Sequence, residues 1–265
     1  MNSRIKYALV TGASSGIGWH ISSELARRGY SIVAVSNQAK QLSELKAYLE
    51  AAFIVNVVTI DMDLIKQDSA YLIYNYCNDN NLEIEVLVND AGIFFFGEIA
   101  KTDFDRISAM MALHIMTPVN LCRLFGTQMA SKRKGFILNV SSITAVMPYP
   151  GISPYGPTKT FIRHFTRAFR TEMKLDNVSV TCLMPGATDT SLYDSAGINT
   201  RLLKALGIMK SPEKVASAGV RALLTGRALC IPGFFNKIIV FLIPLIPGGI
   251  IEIIARKSDV IRQKK

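Results

Sequence analysis

Tyr7-Ala8-Leu9-Val10-Thr11-Gly12-Ala13-Ser14-Ser15-Gly16-Ile17-Gly18 passes from a short apolar run through a glycine cluster into an amphipathic stretch, Ile21–Arg28. The apolar run has strand composition, and the stretch beyond the glycines has helical spacing. Glycines at such a junction let the backbone turn sharply and let a ligand approach the helix N-terminus. Free amides and the helix dipole there favour a phosphate group. The spacing of Gly12, Gly16 and Gly18 differs from the commoner dinucleotide fingerprint, Gly-x-Gly-x-x-Gly.

The same alternation continues along the chain. Strands are expected at 7–11, 31–36, 55–61, 86–89, 135–141 and 178–184, and helices at 16–29, 40–51, 69–80, 103–131, 154–175 and 211–224. This pattern predicts an α/β fold, a Rossmann-type doubly wound parallel sheet in three layers with helices on both faces. No repeat or linker divides the 265 residues, so one catalytic domain is expected over 1–228. Its irregular stretch at 187–210, which includes Leu192, Tyr193, Leu202 and Leu206, is placed to close over a ligand. Residues 229–265 form an extension that is first apolar and then basic. Its longest charge-free run, Ile238–Ile251, is shorter than the roughly 20 residues a spanning helix needs.

Apolar residues make up 49% of the chain and charged ones 19%. That balance excludes a disordered chain and leaves apolar surface for a partner or a membrane to cover. Thirty basic against 20 acidic residues favour anionic partners. The basic residues are dispersed except at Lys132-Arg133-Lys134 and in the tail (Arg256, Lys257, Arg262, Lys264, Lys265), without an aromatic-interleaved stripe, so no nucleic acid is expected. Cys77, Cys122, Cys182 and Cys230 show no paired spacing, and His20, His114 and His164 no ligand spacing, so no metal is expected and a reducing, cytoplasmic setting is. The start of the chain lacks a secretory pattern. The tail has the composition of an interfacial anchor, which would place the protein peripherally on the inner face of a membrane. A homo-oligomer, dimer or tetramer, is the competing use of that surface.

Three further segments carry chemistry. Asn89-Asp90-Ala91-Gly92 ends the fourth expected strand. Ser142 precedes Tyr155 by 13 residues, and Tyr155 precedes Lys159 by four. At i and i+4 the last two share a helix face, so the ammonium lies beside the phenol and favours its ionised form. Pro157 between them is tolerated only in a first turn, which puts Tyr155 near the helix start. Pro185-Gly186-Ala187-Thr188-Asp189-Thr190 follows the sixth strand.

Together with the glycine spacing, these segments resemble the short-chain dehydrogenase/reductase family over roughly residues 5 to 230. The resemblance implies hydride transfer between a nicotinamide cofactor and a carbonyl or alcohol. Tyr155 is then general acid or base, Ser142 hydrogen-bonds the substrate oxygen, and Lys159 also meets the nicotinamide ribose. The cofactor contacts it implies are Gly12, Ser14, Ser15, Gly16, Ile17, Gly18, Ser36, Asn37, Asp61, Met62, Asn89, Ala91, Gly92, Tyr155, Lys159, Pro185, Gly186, Thr188 and Thr190. Asn89 also steadies the central sheet, and Thr190 is placed at the carboxamide. Two positions depart from the family pattern. Asp90 replaces the second Asn of its Asn-Asn-Ala-Gly segment, and His114 replaces an Asn that relays through water to the lysine. A histidine relay whose charge changes near pH 6.5 would alter the acid limb of the rate profile, while a satisfied core histidine would not.

The second strand ends in Ser36-Asn37, without the acidic residue that would bind an adenosine ribose hydroxyl and repel a 2′-phosphate. NADPH is therefore expected over NADH, with Ser36, Asn37 and Lys40 near the phosphate, and the favoured reaction is reduction of a ketone or aldehyde. An NAD-linked alcohol dehydrogenase and a non-catalytic nicotinamide-binding redox sensor are the alternatives.

Overall fold

Strands β1 (Tyr7–Thr11) and β2 (Ser31–Ser36) are buried at every residue. Strands without a polar face belong inside a sheet covered on both sides. The computed structural model, which describes residues 5–148, 150–190, 209–247 and 249–250, shows that sheet. β3 (Val57–Asp61), β4 (Ile84–Asn89), β5 (Gly135–Val140), β6 (Val178–Leu183) and β7 (Leu229–Cys230) complete it in the order β3-β2-β1-β4-β5-β6-β7. Every described pairing is parallel.

Alternate residues serve opposite cores, as the two-residue period of a strand requires. Ala8, Val10, Ile32, Ala34, Val86 and Val88 pack with Ile21 and Leu25 of α1 (Gly16–Ala26), Leu42, Leu45 and Leu49 of α2 (Ala39–Ala52) and Val215 and Val220 of a later helix, Pro212–Leu224. Leu9, Val33, Val35, Leu87 and Ile137 face the other way, onto Ile73 of α3 (Ser69–Asp79), Leu121 and Phe125 of α5 (Thr117–Ser131) and Phe169 of α6 (Tyr155–Lys174). The helix Pro212–Leu224 is α7.

Two differences from the sequence expectation bear on the site. The helix expected over 103–131 is continuous but not uniform. α4 (Phe104–Met111) widens into a π turn, Ala112–Met116, before α5 begins. Such turns mark places where a helix departs from its ladder to aim a side chain, and the side chain here is His114. The sheet also runs past the expected boundary at residue 228, because Leu229 and Cys230 pair with Cys182 and Leu183. A further helix, α8 (Phe234–Leu242), follows, and none of its residues is fully buried. The basic tail and Leu192, Tyr193, Leu202 and Leu206 lie outside the described residues.

Strand order reverses at β1 and β4, so the chain leaves these neighbours toward opposite faces. In open α/β sheets a crevice forms at the carboxyl ends of such a pair. The register sets Thr11 beside Asn89 and Asn89 beside Asn139, which brings the ends of β1, β4 and β5 level.

Candidate active site

The glycine loop is shaped by contacts that exclude side chains. Gly12 and Gly16 hold φ of +69° and +55°, a region costly for other residues. A Cβ on Gly12 would lie 2.9 Å from the Ala91 backbone, and one on Gly18 would strike the Gly12 carbonyl oxygen. Thr11 stitches the two loops together, its Oγ1 accepting from the N–H groups of Asp90 (3.1 Å) and Ala91 (3.2 Å). Ser15 caps α1 with extended backbone, makes no side-chain cap bond, and no acid stands in the first turn. The Asp90 carboxylate meets the Gly18 N–H, while the amides ahead of it are left to the dipole with no side-chain cap, which suits a phosphate.

A cleft of about 750 Å³ runs from this loop across the strand ends. Gly12, Ser14, Ser15, Gly16, Ile17, Ser36, Asn37, Met62, Ala91, Gly92, Pro185, Gly186, Thr188 and Thr190 lie on its walls, together with His114, Ser142, Tyr155 and Lys159. Three expected contacts do not. Gly18 sits beneath the loop, and its role is the close packing just described. Asn89 points into the sheet, where Nδ2 donates to Asn139 Oδ1 at 2.7 Å and Asn139 Nδ2 to Thr166 Oγ1 at 3.0 Å. Asp61 is the exposed last residue of β3, and Met62 and Asp63 take its place on the wall. Lys40 is exposed and does not line the cleft, whereas Gln38 and Gln41 do. These two, Asp63 and the aromatic wall of Phe94 were not singled out from sequence, because the turn that brings them round is irregular and has no period to read.

At the other end, Ser142 Oγ accepts the Thr144 N–H at 3.1 Å, and no acceptor among the described residues takes its O–H. Tyr155 opens α6, with Pro157 in the first turn as expected. Its ring is held edge-on by Phe94 at 4.7 Å between centroids and by His114 at 5.6 Å. One turn on, buried Lys159 donates to the Val140 carbonyl at 3.2 Å and lies with Nζ 5.6 Å from the Tyr155 ring centroid. Burial pulls its pKa down to about 8, against the opposing pull of Asp90. Two of its three N–H donors remain for a ligand.

His114 does not provide the relay read for its position. Its Nε2 accepts the Ile93 N–H at 3.0 Å, which assigns the ring proton to Nδ1. Nδ1 sits 2.9 Å from Thr158 Oγ1, whose hydroxyl donates to the Tyr155 carbonyl at 2.7 Å. Both nitrogens are used, so neither is left for a water. Burial first, then the charge of Lys159, hold its pKa well below the usual histidine range. The ring stays neutral, which favours the satisfied core histidine over a relay that changes charge near pH 6.5, and it supports the first turn of α6.

The family model for short chain dehydrogenases matches residues 6–199. The chain belongs to the short-chain dehydrogenase/reductase family. Among curated proteins, this short-chain dehydrogenase is similar to the very-long-chain 3-oxoacyl-CoA reductase-A of Danio rerio, 31% identical over 80% of the chain and 65% of the relative. It is similar to human 17-beta-hydroxysteroid dehydrogenase type 3 at 29%, over 85% of the chain and 70% of the relative. The chain spans under two thirds of the length of the 3-oxoacyl-CoA reductases of Danio rerio. Among solved structures, a short-chain dehydrogenase from Sphingobium yanoikuyae in complex with NADPH superposes with a TM-score of 0.79 at 22% identity, over 99% of this chain and 97% of that one. A 7beta-hydroxysteroid dehydrogenase superposes at 0.81 and 23%, over 89% and 91%. At these identities the likeness is one of fold.

Proposed function

We propose that this short-chain dehydrogenase reduces an apolar ketone or aldehyde to an alcohol with NADPH. The observation that carries the reading is the convergence of Ser142, Tyr155 and Lys159 at one end of a cleft whose other end is the glycine loop at the start of α1. Bound there, the reduced nicotinamide would supply a hydride to the carbonyl carbon. Ser142 is placed to donate its O–H to the carbonyl oxygen, and Tyr155 to give that oxygen its proton as charge develops. Lys159 favours the phenolate left behind and holds a ribose hydroxyl with its remaining donors.

NADPH is favoured because β2 ends in Ser36 and Asn37, with Gln38 and Gln41 beyond, where a carboxylate would repel a 2′-phosphate. The protein from Sphingobium yanoikuyae binds NADPH on the same fold. An apolar substrate is favoured by the cluster of Phe94, Phe95, Met110, Ile152 and Tyr155 with Phe96 and Ile107, and by relatives named for 3-oxoacyl-CoA and hydroxysteroids. Titration of the purified protein with each cofactor, followed by their fluorescence, tests this. NADPH is expected to bind at least about tenfold more tightly than NADH, a difference of about 1.4 kcal/mol, and apolar ketones to drive its oxidation. No binding of either cofactor would overturn the reading, and tighter NADH binding would turn it toward an NAD-linked alcohol dehydrogenase.

The catalytic unit on this reading runs through β7, and the extension from α8 onward serves a membrane surface on the cytoplasmic side. α8 exposes Phe234, Phe235 and Phe241, each more than 70% accessible, with Leu245 beyond it. The basic tail supplies charge for anionic headgroups, and four free cysteines suit a reducing compartment. Co-sedimentation with phosphatidylserine vesicles is expected for the full chain and should be lost with Phe234→Ser/Phe235→Ser/Phe241→Ser. Vesicle-independent dimers or tetramers that the same substitutions dissolve would assign this face to a homo-oligomer instead.

A further inference from the structure

Asp90 is a half-buried acid on the cleft wall that the mechanism above does not use. It replaces an Asn of the family pattern, so the cradle needs an acceptor here but no charge. Its N–H donates to Thr11 Oγ1 at 3.1 Å, and its carboxylate accepts the N–H of Gly18. A Cβ on Gly18 would lie 2.8 Å from Oδ2, so the carboxylate fills the space below the start of α1. Across Gly92, whose added Cβ would lie 3.7 Å from Lys159 Nζ, stands the ammonium of α6. The other groups facing the pair are few. α6 adds Tyr155, the π turn adds neutral His114, and β6 adds the Cys182 thiol, which burial pushes up to about 12. The β1–α1 loop contributes Thr11, Gly12 and Gly18, none of them charged. Lys159 is the charge that acts on Asp90, and Asp90 is the first charge that acts on Lys159.

We propose that Asp90 is a positioning residue for carbonyl reduction, its carboxylate keeping the buried Lys159 in the ammonium form on which Tyr155 depends. The proposal rests on the reductase reading for its link to turnover, and on Asp90 and Lys159 standing on one cleft wall to either side of Gly92 for its link to Lys159. Burial raises the Asp90 pKa to about 7 and lowers that of Lys159 to about 8, while each opposes the other's shift. The sign follows. Without the carboxylate, Lys159 loses its proton at a lower pH, so the deficit appears as pH rises and vanishes at acid pH, where lysine is charged in either case.

Asp90→Asn separates the charge from the hydrogen bond, since an amide oxygen still accepts the Gly18 N–H. With a shift of about one pH unit, the low end for a nearby opposite charge, the charged fraction of Lys159 at pH 8 falls about fivefold. The ratio of mutant to wild-type kcat for NADPH-dependent ketone reduction is therefore expected to fall about fivefold between pH 6 and pH 8. The Cε resonance of Lys159 in 13C-lysine-labelled protein, assigned with Lys159→Arg, should titrate about one unit lower in the mutant. A ratio that stays flat with pH and an unmoved Lys159 midpoint would overturn the proposal. Wild-type protein without turnover would count against the reductase reading, and the Lys159 midpoint alone would then decide whether Asp90 holds its charge. If Asp90→Asn does not fold, the wild-type resonance decides: a second inflection from Asp90 is expected, and a single step overturns the proposal.

Discussion

Tyr155→Phe is expected to lower kcat for NADPH-dependent ketone reduction by about 10²- to 10⁴-fold, the range for removing a positioned acid. The substitution deletes one oxygen and keeps the ring, so the edge contacts with Phe94 and His114 and the approach of Lys159 survive. Tyr155 is nearly buried in its aromatic cluster, and most of what it contributes to stability comes from that ring. The thermal midpoint should therefore stay within a few degrees of wild type, and NADPH should bind within a few-fold. The loss falls on kcat, because the proton is delivered only as charge develops on the substrate oxygen. Steady-state kinetics beside NADPH titration check this. Full activity in Tyr155→Phe would show that the proton comes from elsewhere and would remove the residue from the mechanism; equal loss of cofactor affinity would make it a binding residue first.

The residues that act in this cleft differ in how readable they are, and the reason is periodicity. Tyr155, Lys159 and Pro157 share a helix turn, so their spacing carries their geometry. Gly12, Gly16 and Gly18 are legible for a similar reason: positive φ at Gly12 and Gly16 and backbone contact at Gly12 and Gly18 demand glycine, and the demand shows in the sequence. His114 is different. Its residue type allows a titrating relay or a satisfied core histidine, and the π turn that carries it favours the second by feeding both ring nitrogens to Ile93 and Thr158. A π turn leaves no compositional mark, so neither the bend nor the occupied nitrogens could be read in advance. The place of Asp61 is hard to read for a related reason. The strand end was placed correctly, but which of Asp61, Met62 and Asp63 faces the cleft depends on how the chain turns after β3. β7 is only two residues long, too short for alternation to show, and it was read as the start of the extension. Asp90 was legible as a departure but not as a partner of Lys159, since that meeting depends on the parallel register of β1, β4 and β5.

Gly18→Ala is the second large effect, and two terms oppose each other in it. Gly18 lies in the first turn of α1, where alanine gains up to about 1 kcal/mol of helix propensity. Against that, the new methyl would strike the Gly12 carbonyl oxygen and lie 2.8 Å from Asp90 Oδ2. Neither neighbour is the loose end of a flexible chain. Gly12 is fixed by its N–H bond to the Val35 carbonyl at 2.9 Å and by its own contact with Ala91. Asp90 is fixed by the Thr11 hydroxyl and the Gly18 N–H. Overpacking against such neighbours costs about 1 to 3 kcal/mol or more, so the collision wins and the loop moves. The strain falls on the amides that would hold the phosphate, and each 1.4 kcal/mol lost there is about a tenfold rise in Kd. NADPH affinity is expected to drop at least about tenfold, and the thermal midpoint by roughly 2 to 10 °C. Gly29→Ala is the control. Gly29, unlike Gly18, has positive φ, at +84°, but nothing stands within 4 Å of its Cβ position and it lies at the far end of α1. Backbone strain alone should cost it stability, about 1 kcal/mol, without touching NADPH binding. If both variants bind cofactor alike, the close packing of Gly18 against Gly12 and Asp90 is not what cofactor binding depends on, and the cradle is not where the cofactor is held.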